Sequence, residues 1–463
     1  MESPRTSLSS KRTFVGFFAV AVMAVGALII PQSVNADFFA HDPGVRGGSP
    51  GAGGHLPGLT ADQIAFFELG EEDFEEAEGV GDGLGPRFNA DGCGTCHSQP
   101  AIGGTSPAVN PQVALATAFG ANNVVPSFLS LNGPVREARF VRNPDGTPDG
   151  GVHGLFVISG RVDDTGDASG CRIRQEDFER QVRNGNIIFR IPTAVFGSGL
   201  MESITDATLR ANLSTNAFRK FLLGISGRLN TNGNDGTASR FGWKAQNQTL
   251  LLFSGEAYNV EMGITNELFQ SERDEDPNCQ FSAVPNDNQL FDVHAGFPAL
   301  ITAIENFANF QRFLDQPTPS ATTPGGSASI NRGRALFTDV GCNECHTPSL
   351  TTSPFATVAA LRSQVANLYS DIALHNMGPG LADGVAQGAA AGDEFRTAPL
   401  WGLGQRIFFL HDGRTSDLVE AIQAHRSNGN HEFKSSEANR VIDNFNRLRH
   451  SERQDVLNFL RSL

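Results

Sequence analysis

The first amphipathic pattern of the chain begins at Thr60. Thr60 and Gln63 form a capping-box pair, and the residues that follow place Ile64, Phe67 and Phe74 on one helical face. A stripe of this kind predicts a surface helix whose apolar side packs on a core. The helix leads into the sequence GCGTCHSQP.

Two further helices are predicted in the last third of the chain. The segment NRGRALFTDV has helical periodicity and runs into GCNECHTP. The final segment, SERQDVLNFLRSL, is predicted to begin with a capping box formed by Ser451 and Gln454. Its apolar stripe consists of Val456, Leu457, Leu460 and Leu463.

Between these ends the pattern is mixed, with short apolar runs and long polar loops. The segment FRIPTAVFGSGL (189–200) echoes FRTAPLWGLGQ (395–405), which indicates a weak internal repeat. The segment QPTPSATTPGGSAS has the composition of a linker. The predicted parts are a signal peptide (1–36), an extended arm (37–58), an N-terminal domain with insertions (59–315), a linker (316–329) and a C-terminal domain (330–463).

The N-terminus is typical of an export signal. Basic residues ending in SKR precede the apolar run FVGFFAVAVMAVGALII, and PQSVNA then predicts cleavage after Ala36. Because the run is only just shorter than a spanning helix, an uncleaved anchor is the alternative. No other segment is long and apolar enough to span a bilayer. We therefore expect the folded part in the periplasm, or otherwise exported within a bacterial-type envelope.

Charge narrows the range of partners. The formal net charge is −15, and removing residues 1–36 takes away a net +2 and leaves −17. An acidic surface argues against nucleic acid and anionic lipid as partners, and it can steer basic proteins. The run EEDFEEAE (71–78) is either a docking site for a basic electron donor or a solvated helix face.

Two C-x-x-C-H motifs carry the clearest chemistry: Cys93, Cys96 and His97, and Cys342, Cys345 and His346. In this spacing two thiols attach the porphyrin of a c-type haem, and the adjacent histidine is the proximal iron ligand. A zinc site would join the two cysteine pairs, and a thioredoxin-like pair would not need the histidines. The prediction is two covalently bound haem c groups in a mainly α fold of two cytochrome c-like domains. Long loops and short strands enlarge the N-terminal domain.

Longer motifs carry a family resemblance. The segments YSDIALHNMGPGLADG, GDEFRTAPLWGLGQRIFFLHDGRTSDLVEAIQAH, GLGPRFNADGCGTCHSQPAIGGTSPAVNPQ, RFGWKAQ and EMGIT resemble the di-haem cytochrome c peroxidase superfamily. They are most similar to its branch of di-haem oxidoreductases, or putative peroxidases. The resemblance covers most of the chain after residue 36. It implies two haems, a small electron-donor protein of the cytochrome or cupredoxin type, and peroxide or another oxidant.

For the C-terminal haem the resemblance implies the second axial ligand. In the peroxidases this residue lies fourteen positions after the histidine of the HDG turn, which here is His411, and His425 stands there. The usual ligand is methionine. A haem held by His346 and His425 would therefore have a lower reduction potential than a haem held by histidine and methionine. His375 matches a residue near this haem and is expected to contact it without ligating iron; Met377 is an alternative ligand.

For the N-terminal haem the resemblance implies an acid above the iron. The stretch YNVEMGIT matches the family segment that carries a distal glutamate, so Glu261 is the candidate general acid and base. Between His97 and His153 the sequence contains no histidine. Either His153 ligates this iron or the iron is five-coordinate, and we expect an open iron with His153 on a strand.

The segment FGWKAQ places Trp243 where the superfamily has a tryptophan between the haems. Where the superfamily usually has a distal glutamine, this chain has Phe253, and Gln246 and Gln248 are candidate substitutes. That departure leaves two functions open. One is a peroxidase-like enzyme that reacts at the N-terminal haem, and the other is an electron carrier with both irons six-coordinate.

The two remaining cysteines and a calcium ion are the last features to consider. Cys171 and Cys279 are left over after haem attachment, and in an oxidising compartment they predict a disulfide, with two buried thiols as the alternative. The superfamily's interdomain calcium is a further candidate cofactor, although the residues before His411, RIFFL, depart from the usual pattern.

Overall fold

The computed structural model of the chain describes residues 39–272, 276–287 and 301–463. The predicted export signal, 1–36, lies outside the described residues. The α-helices are α1 Ala61–Glu75, α2 Cys93–Cys96, α3 Gln112–Leu115, α4 Phe178–Arg183, α5 Ser198–Glu202, α6 Asp206–Ser214, α7 Ala217–Leu223, α8 Leu250–Met262, α9 Ala303–Phe313, α10 Gly326–Val340, α11 Leu418–Ala424, α12 Asn439–Arg447 and α13 His450–Ser462. Short 3₁₀ helices span Ala118–Gly120, Pro277–Cys279, Cys342–Glu344, Ala359–Leu361 and Leu403–Gln405.

The strands are short, and they pair in small antiparallel sheets. They are β1 Arg87–Phe88, β2 Glu137–Phe140, β3 Val152–His153, β4 Phe156–Val157, β5 Ile187–Arg190, β6 Leu350–Thr351, β7 Val365–Ala366, β8 Leu374–Asn376 and β9 Glu394–Arg396. The sheet orders are β1-β4, β3-β2-β5, β6-β7 and β8-β9. Helices hold 33% of the residues and the strands are few and short, which agrees with the predicted fold class in part. Its division into two cytochrome c-like domains stays a prediction.

Helix α1 forms as its sequence predicts. The Thr60 hydroxyl accepts a hydrogen bond from the Gln63 N–H, and the Gln63 side chain accepts one from the Thr60 N–H. Phe67 and Phe74 are buried, and both rings lie against Phe310 of α9. A local pattern therefore determines where this helix begins and which face it buries.

The final helix has the predicted apolar stripe but a different start. Val456, Leu457, Leu460 and Leu463 are all buried. The predicted cap at Ser451 is wrong: the helix begins at His450 and its cap is Arg449, whose N–H donates to the Glu452 carboxylate. The carboxylate of Glu452, at the third helical position, accepts the hydrogen bond that fixes the start of the helix, and the Ser451 hydroxyl does not serve as the cap.

Each C-x-x-C-H motif follows a long helix that packs closely on another helix. A side chain at Gly70 of α1 would come within 2.5 Å of the Asn306 carbonyl of α9, and one at Gly333 of α10 within 1.9 Å of the Asp455 carbonyl of α13. Only glycine permits this approach, which fixes α1 on α9 and α10 on α13. The same arrangement thus precedes both motifs.

The N-terminal arm and the predicted linker both contact the C-terminal helices. The Asp42 carboxylate accepts a hydrogen bond of 2.7 Å from the fully buried Arg461 guanidinium, and the Arg46 N–H donates to the Gly404 carbonyl. Helix α10 begins at Gly326, inside the segment 316–329 that was predicted as a linker.

Two further findings concern the sequence expectations. Cys171 and Cys279 form a disulfide, as predicted, and it joins residues 108 positions apart. Among the described residues, no helix has both the length and the apolar character needed to cross a bilayer.

Candidate functional site

A first cavity, with an empty volume of about 1050 Å³, lies at the first motif. Cys93 and Cys96 are the ends of the single-turn helix α2, and the His97 N–H donates to the Cys93 carbonyl. This turn puts both thiols and the imidazole on the wall of the same cavity.

The imidazole of His97 is held in one orientation. Its Nδ1 lies 3.0 Å from the carbonyl oxygen of Gly104, and the ring of Phe74 packs edge-on against it. A side chain at residue 104 would overlap the Gln99 carbonyl oxygen at 2.0 Å, so the close turn requires glycine. Burial lowers the pKa of His97 to about 4, which keeps the imidazole neutral.

A pair of carboxyl groups also lines this cavity. Glu261, on α8, hydrogen-bonds to Glu137 of β2, and its Oε2 accepts a 2.7 Å bond from the Asn89 side chain. Burial, reinforced by the charge of Glu137, raises the pKa of Glu261 well above the usual carboxyl range. Burial also acts to raise the pKa of Glu137, but the adjacent Arg139 guanidinium outweighs it and lowers that pKa. The pair therefore holds a proton more tightly on Glu261 than on Glu137.

Amide side chains complete the wall above the first motif. Phe253 lines the cavity, and so do Gln246 and Gln311. Gln248 is not on this wall, because it hydrogen-bonds to Asn232 and Thr237. In the described part of the chain, the buried Oε1 atoms of Gln246 and Gln311 lack a hydrogen-bond partner. Gln246 is therefore the better placed of the two candidate substitutes for a distal glutamine.

His153 lies outside this cavity. It belongs to β3, its ring stacks on Phe140 at 3.6 Å, and its Nε2 is 2.9 Å from the Asp149 carboxylate. It is absent from the residues that line the first cavity. The expectation that His153 is a strand residue is confirmed.

A second cavity, with an empty volume of about 1390 Å³, lies at the second motif. Cys342, Cys345 and His346 all line it. The Nδ1 of His346 lies 3.0 Å from the Tyr369 carbonyl oxygen, and burial lowers its pKa to about 4. The proximal histidines of the two motifs are thus oriented in the same way, each by a backbone carbonyl.

His425 lines the same cavity as His346. It caps the C-terminal end of α11, and its Nδ1 lies 2.8 Å from the Ala421 carbonyl oxygen. Burial lowers the pKa of His425. Since Nδ1 is engaged by the helix end, Nε2 is the nitrogen left for a ligand.

His375 and Met377 also line the second cavity. Both ring nitrogens of His375 face carboxylates: Nδ1 is 2.8 Å from Glu437 and Nε2 is 3.0 Å from Asp371. Against the effect of burial, the contact with His375 lowers the pKa of Glu437 to about 2. With both nitrogens occupied, His375 is fixed beside the Cys345 sulfur, 3.7 Å away.

Trp243 lines both cavities. Its indole is buried, and its Nε1–H donates a 2.9 Å hydrogen bond to the Ile191 carbonyl. The ring of His411 meets the indole edge-on with centroids 6.4 Å apart, and His411 itself stacks on Phe395 at 4.3 Å. An aromatic group therefore bridges the walls of the two sites.

A family model described as "Di-haem oxidoreductase, putative peroxidase" matches residues 137–463, more than half of the chain. The chain belongs to this family. Membership of this di-haem family implies two haems, and the resemblance drawn from the motifs is confirmed.

Other comparisons give weaker similarities. Among curated proteins, none matches the sequence. A MauG-like protein associated with microbial copper homeostasis is 17% identical, with a TM-score of 0.28, over 59% of this chain and 90% of that one. A hydrazine synthase of Kuenenia stuttgartiensis, pressurised with 20 bar xenon, is 17% identical with a TM-score of 0.24. That match covers 46% of this chain and 60% of the hydrazine synthase chain.

Several charged residues of this di-haem oxidoreductase were missed in the sequence. Glu137 and Arg139 alternate on β2, and this two-residue spacing was the available signal for a shared strand face. Lys244, fully buried next to Trp243, pairs with Asp383 at 3.1 Å, and Arg190 pairs with the same carboxylate at 2.7 Å. Their sequence context gave no sign that they would be buried together.

The predicted calcium has no counterpart among these groups. In residues 39–272, 276–287 and 301–463, no three His, Cys, Asp or Glu side chains are grouped so as to hold a metal ion. Calcium stays a prediction.

Proposed function

We propose that the protein is an exported di-haem c-type oxidoreductase with divided roles. Electrons enter at the haem of the second cavity, and peroxide or another oxidant reacts at the haem of the first. The observation that carries this proposal is the position of Trp243, because its indole lines both cavities. Membership of the di-haem oxidoreductase family supports it.

The residues present fit haem c in both cavities. Each cavity carries two thiols and one histidine from a single turn. His97, His346 and His425 each direct Nδ1 to a backbone carbonyl, at 3.0, 3.0 and 2.8 Å. This arrangement leaves Nε2 of all three available to bind iron. When bound, haem supplies one-electron chemistry and, at an open position, reaction with peroxide.

In the first cavity the carboxyl pair would move the proton. The ionised form of Glu261 would accept a proton from peroxide and return it to the leaving oxygen, with Asn89 holding its Oε2 in place. Glu137, kept ionised by Arg139, would set the proton affinity of Glu261. Gln246 offers an amide to the same space.

In the second cavity His346 and His425 would both bind the haem iron. Two imidazoles give a low-potential haem that does not react with peroxide. His375 would act as a positioning residue, since Glu437 and Asp371 hold both of its nitrogens beside Cys345. Export of the chain is supported by the Cys171–Cys279 disulfide, which is typical of oxidising compartments.

One observation favours a second candidate function, an electron carrier. Phe253 lines the first cavity where the superfamily usually has a glutamine, and a phenyl ring cannot hydrogen-bond to peroxide. A carrier would need both irons to be six-coordinate.

Low-temperature EPR of the haem-loaded ferric protein tests the proposal. We expect a high-spin signal from the first site beside a low-spin signal from the second, with the high-spin signal lost when peroxide is added. A haem count by the pyridine method should give two per chain. Two low-spin signals that do not change when peroxide is added, in both the ferric and the half-reduced protein, would instead establish that the protein is an electron carrier.

A further inference from the structure

Helix α7, Ala217–Leu223, presents its apolar residues to solvent. Phe218 is 74% exposed, Phe221 76% and Leu222 50%, whereas Lys220 on the same helix is 8% exposed. Spacings of three and four residues put the three apolar side chains on one face. We call Phe218, Phe221 and Leu222 the α7 stripe.

The position of Lys220 explains why the apolar face of α7 points to solvent. The Lys220 ammonium donates to the carbonyls of Asn212 and Leu213 at 3.1 and 3.2 Å, so it satisfies the C-terminal end of α6. With Lys220 turned inward, the opposite face of α7 faces water. Single exposed apolar residues are ordinary, but a contiguous stripe with two phenyl rings is typical of an interaction site.

The α7 stripe lies beside the second cavity. Ile225, two residues after the end of α7, lines that cavity. A Cβ on Gly341 would lie 2.7 Å from the side chain of Leu223, the last residue of α7. Arg219 pairs with the buried Glu344 at 3.3 Å, one residue before Cys345. Helix α7 is therefore attached to the segment that carries the second C-x-x-C-H motif.

The sequence segment that carries the stripe is basic, although the chain carries a net charge of −15. From Leu209 to Arg228 the sequence has four basic residues and no acidic one. Arg210 donates to the Gly236 carbonyl and Arg440 to the Leu222 carbonyl, so these two guanidinium groups use backbone oxygens rather than carboxylates. Both residues are exposed, and Arg440 adjoins the stripe through its bond to Leu222.

We propose that the α7 stripe, with Arg440 at its edge, is the docking surface for a small acidic electron-transfer protein. The apolar residues would contact the face over the partner's redox centre, and Arg440 would attract carboxylates around that face. Transient redox complexes bury less than about 1,200 Å², which one short helix and its border can supply, whereas a stable homodimer needs more. This inference rests on the proposed entry of electrons at the second cavity.

The test compares the haem-loaded wild type with Phe218→Ser/Phe221→Ser and with Arg440→Glu. The probes are two acidic donors, a type I copper protein and a c-type cytochrome. Calorimetric titration gives the dissociation constant, and stopped-flow absorbance gives the rate of haem reduction. Val124→Ser is the control, because Val124 is 73% exposed on a loop that pairs with Gln175 in the N-terminal part.

We expect at least one acidic donor to bind the wild type, and to bind less tightly as ionic strength rises. The phenylalanine variant should weaken that binding by about tenfold or more, as loss of aromatic contacts at a small interface does. Arg440→Glu should mainly slow association. Reduction by dithionite, haem content and the Val124→Ser protein should be unchanged.

Equal dissociation constants in wild type and the phenylalanine variant would overturn the proposal, as would the absence of binding by both acidic donors. If the stripe instead joins two copies of the chain, sedimentation should show a dimer that Phe218→Ser/Phe221→Ser dissociates. If it binds a membrane, the wild type should bind lipid vesicles and that variant should not. Either result would overturn the proposal. If donors bind at the stripe but reduce no haem, the proposed electron entry fails while the docking surface stands.

Discussion

Replacing Glu137 by glutamine would test the carboxyl pair directly. The substitution keeps the shape of the side chain and removes its negative charge. Glu137 hydrogen-bonds to Glu261 on one side and pairs with Arg139 on the other. The proposal predicts that Glu261 would then lose its proton more easily, because the like charge that opposes its ionisation is gone.

The size of the effect follows from the contact. Two unit charges about 4 Å apart interact with about 4 kcal/mol at an effective dielectric constant of about 20. A hydrogen-bonded carboxyl pair is at least this close, so the repulsion is large compared with about 1.4 kcal/mol per pKa unit. Burial would still hold the pKa of Glu261 above the ordinary range, but less strongly.

The sign of the stability change is also fixed. In the wild type the pKa of Glu261 is higher folded than unfolded, so the folded state binds more protons above the ordinary carboxyl pKa. The free energy of unfolding therefore falls as pH rises from that value through the folded-state pKa. Glu137→Gln should reduce this slope. Glu78, whose pKa burial raises to about 7, contributes the same slope to both proteins and cancels in the comparison.

Two assays read out the change. Chemical denaturation at a series of pH values gives the slope, and the pH profile of peroxide reduction should show its acid limb moved to lower pH. Glu202→Gln is the matched control, since Glu202 also pairs with an arginine, Arg312, at similar exposure but away from the first cavity. Identical slopes and acid limbs in wild type and Glu137→Gln would refute the reasoning.

Three more predictions follow from the sites. His425→Met should raise the reduction potential of the C-terminal haem in a potentiometric titration, and an unchanged potential would show that His425 is no ligand. Trp243→Phe should slow electron transfer between the haems in stopped-flow absorbance, with Trp401→Phe as control because Trp401 is buried in another cluster; equal rates would exclude Trp243 from the path. Replacing Cys171 and Cys279 by serine should lower the free energy of unfolding by about 4–5 kcal/mol, from the 108-residue separation that the bridge closes. An unchanged denaturation midpoint would contradict this.

Short-range patterns predicted the fold where the interactions are local. The capping box at Thr60 and the buried stripe of the last helix depend on residues three to seven positions apart, and both are present. The cap at Ser451 failed within the same range, because Glu452 satisfied the Arg449 N–H instead. Local rules thus identify helices better than their first residues.

Longer motifs predicted part of the candidate site. His425, inferred from a spacing of fourteen residues after His411, lines the same cavity as His346. Glu137 was missed, since its partner Glu261 lies on a distant helix and only the packing of β2 against the first cavity joins them. The same holds for Lys244 and Asp383, whose pairing spans two separate loops.

The sequence by itself determined the two C-x-x-C-H motifs and the family. The spacing of the thiols and the imidazole within one turn is fixed by the order of the residues along the chain. Only the tertiary structure decided which groups face each other across the cavities. It put Glu137 on Glu261, removed Gln248 and His153 from the first cavity, and placed Trp243 on both walls. Such contacts depend on how helices and strands pack, and proton affinity and exposure depend on burial, which no local pattern specifies.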